Sequence, residues 1–256
     1  MMRKTFVCTL AAALFASVLA AETVDEILAR HFDALGGKEK IAAIGSARMS
    51  GRQVFGPQEV PVTIYWKRPD KVRVEFTVQG MTGVQAYDGK QAWMVMPFLG
   101  KTEPEAMTGD DLRDIQEQAD LIDGPLMDYR AKGHQVELIG KESVEGTEAW
   151  KLRLTRKGGD VSTIWLDAEA MLEIKSEGKR KRGDQEVEIE ASMGDYKEVG
   201  GVLFAHAYES RPKGQPQAAT ISVDKIELGV DLADSLFSMP APAAKPAEAK
   251  PAGGAR

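Results

Sequence analysis

The chain has 256 residues, 43% hydrophobic and 28% charged, with 7% aromatic residues and a net charge of −6. That balance excludes a collagenous or low-complexity polymer and suits an ordinary domain with a sizeable core. The acidic excess excludes a nucleic-acid binder that relies on bulk positive charge. With one cysteine and three scattered histidines, a zinc site of clustered Cys and His is excluded too.

Met1 to Ala21 reads as a secretory signal peptide. Arg3 and Lys4 form its positive start, Phe6 to Leu19 its apolar stretch, and Val18-Leu19-Ala20 its cleavage region. The apolar run is too short for a membrane span, which needs about 20 residues. No later stretch qualifies, so no transmembrane segment is expected in the mature chain, which is placed in the periplasm. Cleavage removes Cys8, Arg3 and Lys4, which leaves no cysteine and moves the net charge from −6 to −8. At the other end, residues 240–256 are a Pro/Ala-rich tail with little to bury, expected to be disordered. The folded domain is therefore expected over residues 22–239.

Thr23-Val24-Asp25-Glu26 is a capping box, and Val24, Ile27, Leu28, His31, Phe32 and Leu35 recur at helical spacing up to Gly36-Gly37. A second short turn is expected over Lys38 to Ile44. From Ala47 the period becomes two. Val60, Val62, Ile64 and Trp66 alternate with polar neighbours, as do Val72, Val74, Phe76 and Val78, then Trp150, Leu152 and Leu154. Such segments are strands with one buried face. Turn signals such as Asp88-Gly89, Glu145-Gly146 and Gly200-Gly201 separate about eleven strands between Ala47 and Leu228. Gly109 to Lys132 interrupts them with a helical pattern carrying Leu112, Ile115, Ala119 and Ile122. Gly124-Pro125 breaks it, and Leu126, Met127 and Tyr129 begin a second short helix. The expected fold is mainly β (α+β): a curved antiparallel sheet whose concave face is covered by these helices.

Motifs for catalysis are missing. There is no Gly-x-Ser-x-Gly and no His-Glu-x-x-His, and the Gly83 to Lys90 segment fails as a phosphate loop because its spacing is wrong and Gln91 replaces Ser/Thr. No catalytic residue, metal or cofactor is assigned. His31 reads as a packed residue, and Asp110 and Asp111 read as charges favoured at a helix start. Lys179 to Arg182 reads as a solvated hairpin turn. Trp93 to Leu99 is apolar on both strand faces, so its second face must meet a helix, a ligand or a partner.

The set of motifs is specific in its order: Trp66-Lys67-Arg68-Pro69-Asp70, Tyr87-Asp88-Gly89-Lys90-Gln91-Ala92-Trp93, Gly146 to Leu152, Ile164-Trp165-Leu166-Asp167, and Asp195 through His206. From residue 23 to about 240 the chain resembles the LolA-like outer-membrane lipoprotein-sorting family, whose superfamily includes LolB, LppX and RseB. The resemblance implies an unclosed half-barrel with a helical lid over a hydrophobic cavity. It also implies a carrier of lipids or lipoproteins that shields acyl chains without covalent chemistry. On that basis the cavity lining is expected from Trp66, Val72, Val74, Phe76, Trp93 and Met94, continuing with Met96, Phe98, Trp150, Leu152, Trp165 and Phe204. The lid residues are expected to be Ile27, Phe32, Leu112, Ile115 and Ile122. The family's lid-holding arginine corresponds to Arg52, Arg68 or Arg73. Departures are the Pro/Ala tail after Phe237, where the lipoprotein chaperone has a cargo-holding extension, and the lack of a lipoprotein cysteine.

Expected partners are lipid or lipoprotein acyl chains and inner- or outer-membrane transport proteins, with no nucleic acid, and the expected state is a monomer. The rival reading is a periplasmic sensor or assembly module that uses the same fold to bind a protein. A carrier predicts a dry cavity beneath Asp110 to Tyr129. A sensor predicts a collapsed one and an exposed apolar patch near Trp93 to Leu99.

Overall fold

The structure is a computed structural model that describes residues 22–182 and 185–241. Residues 1–21, expected to be a signal peptide, and residues 242–256 of the expected tail lie outside the described residues, as do the side chains of Arg180, Lys181 and Arg182.

Helix α1 (Val24–Ala34) starts on the expected capping box: Thr23 Oγ1 accepts from the Glu26 amide while Glu26 reaches back to the Thr23 amide. Its buried face is Ile27, Leu28, His31 and Phe32. Gly36 ends it with φ +113°, a conformation in which a side chain is strained. A Cβ there would also run into the carbonyl of Gly201, so glycine permits the close approach that lets the Leu203 amide donate to Leu35 O at 2.8 Å. Helix α2 (Lys38–Ala43) follows directly.

The chain then builds β1 (Ser46–Phe55), β2 (Gln58–Lys67), β3 (Lys71–Val78), β4 (Met81–Tyr87), β5 (Ala92–Met96) and β6 (Lys101–Ala106) as a meander. Helix α3 (Gly109–Ala119) and the turns after it lead to a second meander: β7 (Gln135–Val144), β8 (Thr147–Thr155), β9 (Val161–Asp167), β10 (Glu173–Arg182) and β11 (Gln185–Gly194). A small hairpin, β12 (Lys197–Val199) and β13 (Val202–Phe204), precedes β14 (Ala207–Pro212) and β15 (Ala219–Leu228). Among the described residues fifteen strands result, not about eleven. The extra ones are short pieces such as β6, β12 and β13, where alternation is too brief or interrupted by proline to read.

Thirteen strands form one antiparallel sheet in the order β6-β5-β4-β3-β2-β1-β15-β14-β11-β10-β9-β8-β7. It does not close, and the result is a half-barrel. The two edges, β6 and β7, are joined in sequence by the α3 insert, so the insert has to cross one face of the sheet. Topology thus sets the position of the helical cover.

Register separates the two faces. Ala47, Trp66, Val72, Tyr87 and Ala92 are successive cross-strand partners on the helix-covered side. One residue along, Arg48, Tyr65, Arg73, Ala86 and Trp93 make the matching row on the outer side. The main core lies between the first set and the helices, where Trp66, Val72, Leu152, Leu154 and Leu166 meet Ile27, Phe32, Ile41 and Ile115.

The second short helix expected from Leu126 does not form. Residues 120–133 run as consecutive turns, because Asp128 adopts φ +50° and no right-handed helix continues through that conformation. Leu126, Met127 and Tyr129 are buried all the same. On the second face of Trp93 to Leu99, the Trp93 end meets none of the three candidates. It is covered by the chain's own segment after β15, where Trp93 Nε1 donates to Phe237 O at 2.8 Å and Met239 packs on the Val84, Ala86 and Trp93 cluster, whereas Leu99 is exposed. Phe237 is fully buried, and Lys67 and Lys71 pair with Asp234 to fix the same strap.

Candidate functional site

Eight of the twelve expected lining residues share the helix-covered face: Trp66, Val72, Val74, Phe76, Met94, Trp150, Leu152 and Phe204. Trp93 and Trp165 do not. Trp93 is on the outer face under the strap. Trp165 pairs across strands with Lys151 and Lys175, one position off the inward-facing Ile164, and both ammonium groups lie over its ring at 5.2 Å. Its indole N–H donates to Glu142 at 2.6 Å. A fully apolar alternation pattern marks a strand but not which of its faces a tryptophan takes, and lysine stems can cover an outward ring. Met96 is buried outside these clusters, and Phe98 sits on a 3-10 turn with its ring edge-on to Phe76 at 5.8 Å.

The lid residues Ile27, Phe32, Leu112 and Ile115 all face the main core from helices, whereas Ile122 packs on it from the turns beyond α3. The cover is tied down by polar contacts. Trp66, only 1% exposed, donates its indole N–H to Ala119 O at the end of α3 at 2.7 Å. Of the three candidate arginines, Arg68 reaches the insert. Its guanidinium makes two 2.7 Å bonds to the Asp123 carboxylate and also donates to Ile44 O and Ile41 O at the end of α2. Bidentate charge-assisted bonds of this kind are short and directional. Arg52 pairs instead with Glu59 and Asp224, and Arg73 with Glu75 and Leu236 O. Arg130 and Tyr129 join the insert to Asp25 on α1, and the guanidinium holds that carboxyl below its usual range.

Beneath the insert the space is filled by Ile115, Ala119, Leu126 and Met127. Part of the space expected to be a dry cavity under Asp110 to Tyr129 is therefore packed core. Open volume lies beside it, in a cleft of about 500 Å³ between α3 with Pro125 and the strands β9, β10, β11 and β14. None of the twelve expected lining residues borders it.

Its origin is a row of small side chains. Ile164, Ser176, Ala191 and Ser210 are successive cross-strand partners, and Ser162, Gly178 and Ile189 form the next row. Where β2, β3 and β8 carry Trp, Val and Leu against the helices, these strands carry Ser, Ala and Gly, so the cover cannot reach the floor. Ile164, Val187, Ile189 and Ala191 make that floor apolar. Alternation in Val187 and Ile189 was readable in the sequence. The small-residue rows were not, because each is assembled from single side chains on neighbouring strands and shows only when those strands are laid in register.

One end of the cleft is polar. Glu173 takes a hydrogen bond from Ser176 and faces Arg156, and burial pushes its carboxyl up to about 7. Arg156 Nη1 donates to Ser162 Oγ at 3.0 Å. Tyr196 donates its hydroxyl to Glu173 O at 2.7 Å, and burial together with the Glu173 charge raises Tyr208 to about 12, so both stay neutral. Across the opening, α3 presents Arg113, Asp114 and Glu117. The histidines are structural: His31 Nδ1 bonds Met171 O at 2.7 Å in the core, and burial lowers its basicity. Among the described residues no group of three or more His, Cys, Asp or Glu side chains is placed to hold a metal ion. No helix among them is long and apolar enough to cross a membrane.

No family model matches the sequence, and no curated protein matches it. Solved structures do share the architecture. A LolA superfamily protein from Nitrosomonas europaea superposes with a TM-score of 0.58 at 13% identity, over 85% of this chain and 98% of that one. A DUF1329 family protein from Desulfovibrio piger gives 0.57 at 14% identity, over 81% and 95%. A domain from Vibrio parahaemolyticus named for outer membrane lipoprotein sorting gives 0.56 at 11% identity, over 83% and 94%. At these identities the likeness establishes the fold, which is LolA-like.

Proposed function

We propose that this LolA-like half-barrel is a periplasmic, non-enzymatic carrier of lipid or of lipoprotein acyl chains. In this reading residues 1–21 are its export signal, residues 22–239 its binding domain and the tail a spacer, and the protein acts as a monomer. The observation that carries it is the apolar-floored cleft left open between the sheet and α3. Each buried CH₂ of a chain is worth about 0.8 kcal/mol, so partial shielding of one chain supports useful affinity. A volume near 500 Å³ falls within the usual range of small-ligand sites. Release then asks for movement of the insert, and the Arg68–Asp123 pair is the contact that resists it.

The test is gentle purification of the full chain from the periplasm, native mass spectrometry, and identification of extracted material. Co-purifying lipid or acylated peptide is the expected result. An empty protein that also takes up no fluorescent fatty acid would instead favour the sensor or assembly reading. For that alternative the most exposed of the large apolar side chains among the described residues is Leu99, 68% accessible on the turn beside Phe98.

A further inference from the structure

The cleft has a length as well as a volume. Its two floor rows of small side chains give way, one step further along the same strands, to a row of large ones. There Glu173 lies opposite Leu166, and Met193 opposite Tyr208. Leu166 is fully buried in the main core, and Glu173 is the member of that row that borders the cleft. Its carboxyl takes a hydrogen bond from Ser176 and its backbone carbonyl one from Tyr196, so it stands as a fixed end wall. In the other direction the floor extends to Val187, near the start of β11.

Two measures of this space agree. Val187 and Met193 are six residues apart on β11, a span of about 20 Å at the rise of a strand. An extended hydrocarbon advances about 1.3 Å per carbon, from a bond of about 1.5 Å at the tetrahedral angle, so the span takes about 15 carbons. A methylene fills about as much space as a water molecule, about 30 Å³. The cleft volume of about 500 Å³ therefore holds about 16 methylenes, which is one chain and no second.

We propose that the cleft is a blind slot for a single hydrocarbon chain, that it selects ligands by chain length, and that Glu173 is its stop. The inference rests on the carrier reading and names which acyl chains the same cleft accepts. Up to the wall, each added methylene leaves water for the apolar floor. Past it, the chain end meets a carboxyl already bonded to Ser176, and entry there would desolvate polar groups without returning a hydrogen bond. Affinity should climb with length, level off at about 14 to 16 carbons and gain nothing beyond.

Competition tests this. The full chain is incubated with an equimolar mixture of the even-numbered saturated fatty acids from octanoate to eicosanoate, and occupancy is read by native mass spectrometry. Each step of two carbons should raise occupancy by up to about fifteenfold. The rise should level off at myristate or palmitate, with never more than one chain per protein. Glu173→Ala frees room for about two to three methylenes and should move the levelling point to stearate or eicosanoate, with circular dichroism checking the fold. Occupancy that rises unbroken to eicosanoate, or two chains on one protein, would overturn the slot and leave the carrier reading standing; this arm needs no variant. A levelling point that stays in place in folded Glu173→Ala would remove Glu173 as the stop. If no fatty acid of any length binds, the carrier reading itself fails, and this inference with it.

Discussion

Glu173 carries a cost that depends on pH. Its folded pKa, near 7, is above the ordinary value of 4.5, so between those limits the folded state holds more protons than the unfolded one. Stability from this group is complete below about 4.5 and falls as pH rises through about 7. Thermal unfolding of Glu173→Gln across that window should show a flatter pH dependence than the parent chain; parallel curves would count against the burial argument. Asp234 has the opposite sign. Lys67 and Lys71 hold its carboxyl below 3.8, so its contribution is present above that range and is lost as pH falls. Trp66 works through geometry instead, with its buried N–H on Ala119 O. Trp66→Phe should cost about 1–3 kcal/mol, measured by urea denaturation, because the carbonyl at the end of α3 loses its donor.

At the scale of elements, two segments without regular structure do as much as the helices. The turns at 120–133 are fastened to α2 through Arg68 and Asp123, both largely buried. Asp123→Asn should speed amide exchange across those turns, by an amount equivalent to about 1.5–3 kcal/mol, while protection in the central strands stays unchanged. The strap after β15 covers Trp93 from outside, and Phe237 is its anchor. Phe237→Ala should destabilise the chain by about 3–5 kcal/mol in urea unfolding and shift tryptophan emission toward solvent. Sequence reasoning reached α1 through its capping box and most strands through their alternation, since both signals are local. It missed the cover on Trp93 because that cover comes from more than a hundred residues downstream, contributed by a stretch with no periodicity of its own. It misplaced Trp165 because lysine stems hide an outward ring as effectively as a core hides an inward one.

At the scale of the whole molecule, the half-barrel was legible and its open space was not. The main core was readable as a set of large apolar side chains. The cleft is defined by what four adjacent strands lack, and that deficit becomes visible only when β9, β10, β11 and β14 are laid in register. Ala191→Leu should fill that gap and abolish uptake of a fluorescent fatty acid with the fold retained, read by fluorescence titration alongside circular dichroism. The strand order also has a kinetic side. β1, the first strand made, lies beside β15, the last, with Ala47 opposite Leu228. The meanders β1–β6 and β7–β11 each pair near neighbours and can form early, since short loops close at little entropic expense. The seam between them waits for the far end of the chain. A chain emerging N-terminus first would therefore hold two half-sheets with unpaired central edges until its final strand arrived, and pulse-labelled refolding should find β1 and β15 protected last. Until then β1 is a bare edge open to any strand that meets it, so the hazard of mispairing falls on the part of the finished sheet that shows no edge at all.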